Sequence, residues 1–299
     1  MYVGRFAPSP TGPLHFGSLI AAAGSFLRAR AQGGRWLVRM EDIDPPREIP
    51  GAADDILRTL ETYGLEWEGE VLYQSTRLTA YREVLEFLHR AGLAYACTCS
   101  RKEVGQAAGP GGVYPGICRG RRERPSQPHA VRVMVGDGRI TFEDALQGRV
   151  SQDLARDIGD FVIRRADGLY AYQLAVVVDD AYQGVSEVVR GADLLDSTPR
   201  QIRLQQLTGL PTPAYLHLPV AVDAATGQKL SKQNLAPPLD RARPLPAIVQ
   251  ALTFLGLNPP MELLDGDVAS AWAWAMAHFD VARLPQRRTV LLDEVKIRP

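Results

Sequence analysis

The sequence predicts an α/β fold built on a doubly wound parallel sheet, and three observations carry that prediction. Short apolar runs alternate with amphipathic helical patterns from residue 2 to residue 96, and the rhythm resumes after residue 160. The early helical patterns stop on glycine, at Gly33-Gly34, Gly64 and Gly92, which leaves short connections. Charged residues gather where predicted strands end, Glu41 and Asp42 after one and Arg190 after another, and ligands of open α/β sheets bind at that end.

Taken in order, Tyr2, Val3 and Phe6 open a strand. The stretch Arg5 to Ser18, RFAPSPTGPLHFGS, then breaks at Pro8, Pro10, Gly12 and Pro13 and enters a helix at His15, Phe16, Gly17 and Ser18. A strand, a tight Gly/Pro turn and a helix N-terminus make an anion site, because unpaired backbone N–H groups and the positive end of the helix dipole face the turn. His15 and Ser18 lie three apart and can face one ligand. On its own the stretch reads equally well as a βα unit stiffened by proline. Leu19, Ala22, Ala23, Phe26, Leu27 and Arg30 keep helical spacing, and Trp36 to Met40 forms a buried strand that delivers Glu41, Asp42 and Asp44 to its carboxyl end. Ala53, Ile56, Leu57 and Leu60 mark a second helix; Leu78, Tyr81, Leu85 and Leu88 mark a third.

Residues 97 to about 160 are rich in Gly, Pro and Arg and read as an insertion, with short β-like runs at Ala130 to Val135 and Arg139 to Phe142. The α/β pattern returns at Phe161 to Ile163, followed by a helix over Ala171 to Asp179 and a strand at Val185 to Val189. A helix over Pro199 to Leu207 and a strand at Leu216 to Val222 come next. Pro237, Pro238, Pro244 and Pro246 mark a linker, and two helical patterns follow, Ala247 to Leu255 and Val268 to Phe279.

With 299 residues, 45% of them hydrophobic and 23% charged, the chain can bury a sizeable core as one large or two modest domains. No apolar run approaches a membrane span and the N-terminus carries no signal-peptide pattern. Three cysteines, Cys97, Cys99 and Cys118, argue against a disulfide framework, so a cytoplasmic location is expected. Basic and acidic residues number 34 each, so no overall charge advertises a nucleic-acid partner. The distribution is uneven: residues 41 to 70 carry ten acids and two bases. Arg119, Arg121, Arg122 and Arg124 form one basic cluster, and Arg283, Arg287, Arg288, Lys296 and Arg298 another. Such runs are compatible with contact to a folded RNA and equally with solvated surface.

The cysteines also raise a metal question. Zinc takes four tetrahedral ligands, and the nearest fourth candidates are Tyr114 and His129; three unligated buried cysteines are the alternative. Further on, Lys229-Leu230-Ser231-Lys232-Gln233 could bring cations to a phosphate, though alone it reads as a solvated basic turn.

His15-Phe16-Gly17-Ser18 resembles the HIGH signature, and Lys229 to Gln233 the KMSKS signature, of class I aminoacyl-tRNA synthetases. The lead-in RFAPSPTG and the run Arg39-Met40-Glu41-Asp42-Ile43-Asp44 resemble the glutamyl/glutaminyl branch, and the resemblance extends to about residue 240. It implies a Rossmann-type catalytic domain split over 1–96 and 160–235, an inserted zinc-bearing subdomain over 97–159, and a short helical, stem-contact-like region over 236–299 without an anticodon-binding domain.

The resemblance also implies roles. His15, Lys232 and Lys229 would be catalytic, and His15, Gly17, Ser18, Lys229 and Lys232 would hold ATP, with Mg2+ as its companion. Ser18 stands where the signature has its second histidine, and a hydroxyl can still donate a hydrogen bond. Arg5, Ser9, Glu41, Tyr172 and Arg190 would bind glutamate: a guanidinium gives planar, bidentate carboxylate recognition, and Glu41 would take the α-ammonium. Cys97, Cys99, Tyr114 and Cys118 would hold one structural Zn2+, with His129 as the other candidate for the fourth place.

Only about sixty residues follow Gln233, which brings the resemblance closest to the truncated paralogues of the branch. Those activate L-glutamate with ATP and pass it to the queuosine base at the wobble position of tRNA(Asp), so that tRNA is the expected partner of a monomer. The alternatives are a minimal glutamyl-tRNA synthetase charging the tRNA 3′ end, a small-molecule adenylyltransferase, and a catalytically dead RNA-binding module.

Overall fold

The structure, a computed structural model, describes residues 1–108, 112–121, 125–223 and 237–292. In chain order its first half comprises β1 (Val3–Phe6), α1 (Phe16–Ala31), β2 (Arg35–Met40), α2 (Ala52–Thr62), β3 (Leu72–Tyr73), α3 (Leu78–Arg90), β4 (Ala94–Cys97), α4 (Arg101–Ala107), β5 (Ala130–Val133), β6 (Arg139–Asp144) and β7 (Gly148–Asp153). There follow α5 (Leu154–Asp157), β8 (Phe161–Arg164), α6 (Tyr172–Tyr182), β9 (Glu187–Gly191), α7 (Thr198–Thr208), β10 (Ala214–Leu218), β11 (Val220–Val222), α8 (Pro244–Phe254), α9 (Val268–His278) and β12 (Thr289–Leu291).

The fold is mixed α/β with parallel sheets. β1 pairs in parallel with β2, β2 with β3, and β9 with β10. β9 runs beside β1, where the Ser186 N–H donates to the Val3 carbonyl at 2.9 Å and the Val3 N–H to Ser186 Oγ at 2.9 Å. The chain therefore leaves β1 in one direction through α1 and β2 and arrives on its other side through β9. A crevice opens at the carboxyl ends of strands where the order reverses in this way, and β1 and β9 flank it here. Successive residues Val188 and Val189, and Tyr215 and Leu216, fall in different apolar clusters, so the sheet is covered on both faces.

On one face α1 packs with α8 and α9: the Phe16 and Phe254 rings meet edge-on at 6.3 Å and those of Phe26 and Trp272 at 5.4 Å. A Cβ on Gly24 would lie 2.4 Å from Leu218 Cδ1, so only glycine lets α1 lie this close to β10. On the other face α3, α6 and α7 share a core with Val131, Val133 and Ile163.

Three elements depart from the sequence reading. Phe161–Arg164, expected to rejoin the parallel sheet, pairs antiparallel with β5, which in turn pairs antiparallel with β4. The β6–β7 hairpin, expected to stay within the insertion, reaches β10 in parallel through Tyr215 and Asp144. The tail holds a strand as well as helices, since β12 pairs in parallel with β11. Alternating apolar residues specify a buried strand face but not the direction of its neighbour, which explains the first two differences. No helix among the described residues is long and apolar enough to cross a membrane.

Candidate active site and metal centre

The cleft between β1, β9 and the start of α1 has a volume of about 650 Å3. Arg5, Ser9, His15, Gly17, Ser18, Glu41, Tyr172 and Arg190 all line it. The sequence-predicted Lys229 and Lys232 lie outside the described residues.

The floor of the cleft is a buried charge cluster. Arg5 is 3% exposed, and its Nε donates to Asp180 Oδ1 at 3.1 Å. Arg39, fully buried one strand over, brings Nη2 to the same oxygen at 2.8 Å, and its Nη1 donates to Gln183 Oε1 at 2.8 Å. Burial pushes the Asp180 carboxyl up, but Arg5 and Arg39 outweigh it and hold the group below the usual carboxylate range. Glu41 sits 3.7 Å from Arg39 Nη2. Burial raises its pKa to about 7, against the opposing pull of Arg39 and Arg5. Asp179, the neighbour of Asp180 on α6, faces elsewhere: it accepts from Gln74 Nε2 at 2.8 Å, from Arg77 Nε at 3.2 Å and from the Tyr81 hydroxyl.

Arg190, at the end of β9, is held from several sides. Its Nε donates to His217 Nε2 at 3.0 Å. Nη2 donates to Thr198 Oγ1 and Gln201 Oε1, each at 2.8 Å, with the Leu194 carbonyl at 3.5 Å. Nη1 donates to the Tyr172 hydroxyl at 3.1 Å. Among the described residues that leaves one Nη1 hydrogen for a ligand, beside the Tyr172 hydroxyl.

The mouth of the cleft is the N-terminus of α1. His15 is its cap residue, and its carbonyl accepts from Ser18 N at 2.9 Å and Leu19 N at 3.0 Å. No acidic side chain occupies the first turn, so the partial positive charge of the helix end faces the cleft uncompensated from within the helix. Asp42 and Asp44 are engaged nearby: Asp42 accepts from Ser75 Oγ at 2.6 Å, and Asp44 pairs with Arg47 at 2.6 Å and Arg165 at 3.4 Å.

The cysteines form a separate centre. The Sγ atoms of Cys97, Cys99 and Cys118 lie within 4.8 Å of one another, with Cys99 and Cys118 3.5 Å apart. The Tyr114 hydroxyl is 3.3 Å from Cys97 Sγ and 3.6 Å from Cys99 Sγ. His129 points its Nδ1 at the Gln127 carbonyl instead, at 3.0 Å. Three thiols this close to one another could hold a metal ion: zinc, for one, takes thiolates at about 2.3 Å, which brings its sulfurs together in this way. Arg132 braces the group, with Nε 3.4 Å from Cys97 Sγ and its guanidinium 3.8 Å above the Tyr114 ring. Gly159, at φ +74°, lets the Tyr114 backbone pass where a Cβ would lie 2.4 Å from its carbonyl oxygen.

Sequence reasoning missed Asp180, Arg39, Asp144 and His217. The signal for Asp180 was present in Val176-Val177-Val178-Asp179-Asp180, where two carboxylates end a run too apolar for a solvent-facing helix.

A family model described as tRNA synthetases class I (E and Q), catalytic domain, matches residues 2–110 and 118–243. The chain belongs to this family. Among curated relatives it is 58% identical over 296 residues to the glutamyl-Q tRNA(Asp) synthetase of Dechloromonas aromatica, covering 97% of this chain and 98% of that one. It is 55% identical over 289 residues to the protein of the same name from Pseudomonas aeruginosa strain PAO1, covering 97% of each. Among solved structures, a glutamate tRNA ligase from Elizabethkingia meningosepticum in complex with its amino acid superposes with a TM-score of 0.79 at 24% identity. That match covers 97% of this chain and 67% of the ligase, and it shows the shared fold.

Proposed function

We propose that this synthetase-family chain activates L-glutamate with ATP and transfers the glutamyl group to the queuosine base at the wobble position of tRNA(Asp). The observation that carries the reading is the cleft itself, which sets Arg5, Arg190 and Glu41 beside a helix N-terminus whose first turn carries no acidic side chain. Two arginines and a carboxylate are complementary to an amino acid with two carboxylates and one ammonium. The relatives named glutamyl-Q tRNA(Asp) synthetase, matched along nearly their whole length, supply the acceptor.

In the first step a glutamate α-carboxylate oxygen forms a bond to the α-phosphorus of ATP, and the bond from that phosphorus to the pyrophosphate oxygen breaks. Positioning and charge stabilisation lower this barrier without a covalent enzyme intermediate. His15, Ser18 and the backbone at Gly17 hold the phosphates, with Mg2+ accompanying ATP, and Lys232 and Lys229 offset the charge of the departing pyrophosphate. Arg5 and Arg190 take the side-chain carboxylate, with Ser9 and Tyr172 along the pocket wall, and Glu41 takes the α-ammonium. In the second step a hydroxyl of the cyclopentenediol ring that queuosine carries attacks the acyl carbon of the glutamyl adenylate, an ester forms, and AMP leaves with the hydroxyl proton released. Cys97, Cys99, Cys118 and Tyr114 would hold a structural zinc ion, which would crosslink the end of β4 to the segment that follows α4.

The test of the first step is ATP–pyrophosphate exchange. Exchange should depend on L-glutamate. Arg5→Lys should lose it while still binding ATP, because an ammonium cannot reproduce the planar fork that gives one edge to Asp180 and offers the rest to a substrate carboxylate. Wild-type protein that shows no glutamate-dependent exchange would refute the assignment.

A further inference from the structure

Behind Arg190 lies a chain of buried polar groups that the proposed reaction does not itself use. His217 on β10 is fully buried, and its Nδ1 meets Asp144 Oδ2 at 2.6 Å. Asp144 is 4% exposed; its Oδ1 accepts the backbone N–H groups of Leu146 at 3.0 Å, Gln147 at 2.8 Å and His217 at 3.1 Å. Those donors, together with the His217 ring, outweigh burial and hold the Asp144 carboxyl below its ordinary range. An ionised carboxylate can only accept, so the proton between it and the imidazole belongs to Nδ1.

The other ring nitrogen then carries a lone pair. It receives Arg190 Nε–H at 3.0 Å, and Thr198 Oγ1 stands 3.2 Å from it. The charged groups facing His217 are Asp144 from β6 and Arg190 from β9, with Arg5 of β1 a weaker influence. Burial, reinforced by the two arginines, keeps the imidazole below its usual pKa despite Asp144. A protonated Nε2 would set N–H against N–H at 3.0 Å and leave the guanidinium without its acceptor.

We infer that Asp144 and His217 form a positioning relay for Arg190: the carboxylate fixes the histidine tautomer, and the bare Nε2 fixes the guanidinium so that its last Nη1 hydrogen points to the substrate. The logic is that of a carboxylate orienting an imidazole in a catalytic triad or behind a metal, applied to an arginine that recognises a ligand. Neither Asp144 nor His217 lines the cleft, so both act through Arg190. The inference rests on the glutamate reading above and assigns two further residues to amino-acid recognition.

Two side chains split the functions of the imidazole. Asparagine reproduces the Nδ1 donor to Asp144 but offers nothing to Arg190; glutamine places an acceptor near the position of Nε2 but gives up the bond to Asp144. In glutamate-dependent ATP–pyrophosphate exchange, His217→Asn should raise KM for glutamate about 10- to 100-fold, the range for a lost hydrogen bond to a charged group, with KM for ATP nearly unchanged. His217→Gln should recover most of that loss. Asp144→Asn, whose amide can donate to Nδ1 and drive the proton to Nε2, should behave like His217→Asn.

The relay is overturned if His217→Asn and His217→Gln have the same glutamate KM. It is equally overturned if nitrogen NMR of substrate-free wild-type protein, which needs no variant to fold, finds His217 protonated at Nε2. Absence of glutamate-dependent exchange in the wild type would instead refute the glutamate reading, and the tautomer, read without substrate, tells the two failures apart.

Discussion

The Arg5 guanidinium meets the Asp180 carboxylate at 3.1 Å in a site where neither side chain is more than 7% exposed. Arg39 shares the same oxygen at 2.8 Å, so one carboxylate is the direct counter-ion of two buried arginines from adjacent strands. With Arg190, three buried arginines face the carboxylates of Asp180 and Glu41, which leaves a local excess of positive charge at the base of the cleft. A substrate carboxylate would meet that excess already desolvated, which strengthens the attraction.

Asp180→Ala should therefore cost far more than a surface ion pair. Removing the shared partner leaves Arg5 and Arg39 buried with Glu41 as the nearest remaining acid, and such losses run to about 3–5 kcal/mol. Urea denaturation checks the magnitude. A loss below about 1 kcal/mol, the range of exposed pairs, would mean that the arginines are solvated in solution.

Glu41 gives the site a pH dependence of known sign. Its folded-state pKa of about 7 lies above the unfolded value of 4.5, so the folded chain keeps an extra proton between these limits. This group's contribution to stability is highest below pH 4.5, falls as pH rises through that window, and is constant above about 7. An ammonium needs the ionised carboxylate, so kcat/KM for glutamate should climb about tenfold per unit on the acid side of pH 7 and level off above it. In Glu41→Gln the acid limb should vanish along with most of the activity. Wild-type kcat/KM that is flat from pH 5.5 to 8 would show that Glu41 is ionised throughout.

Metal content tests the cysteine centre. Purified protein should contain close to one zinc per chain, and Cys99→Ser should lose most of it. Because a structural ion contributes folding free energy directly, chelation should lower the midpoint of thermal unfolding. Proteolysis should then cut first between residues 98 and 130. Full stability without metal would leave three unligated cysteines near Tyr114, Cys97 and Cys118 buried and Cys99 partly exposed, as the better description.

How much of this was legible in the sequence depended on how local the signal was. The turn from β1 into α1 announced itself through Pro8, Pro10, Gly12 and Pro13, and Glu41 and Arg190 through their places at strand ends. The cysteine spacing pointed to a metal, and what singles out Tyr114 from His129 in the structure is its hydroxyl beside two of the sulfurs. Asp180 and Arg5, 175 residues apart, give no local sign of each other, nor do Asp144 and His217 across 73 residues. Such pairs come together only when the strands and helices that carry them pack. β12 is three residues long, too short for any periodicity to reveal.

The central claim is the acceptor, and tRNA(Asp) from cells grown with and without queuine tests it most directly. The nucleophile is a hydroxyl of the modified base itself, so labelled glutamate should be incorporated into the queuosine-bearing tRNA and not at all into the unmodified one. The difference should be all or none rather than a shift in KM, since the unmodified tRNA lacks the reacting group. Robust charging of unmodified tRNA(Glu) at its 3′ end would contradict the account and make the chain a minimal glutamyl-tRNA synthetase.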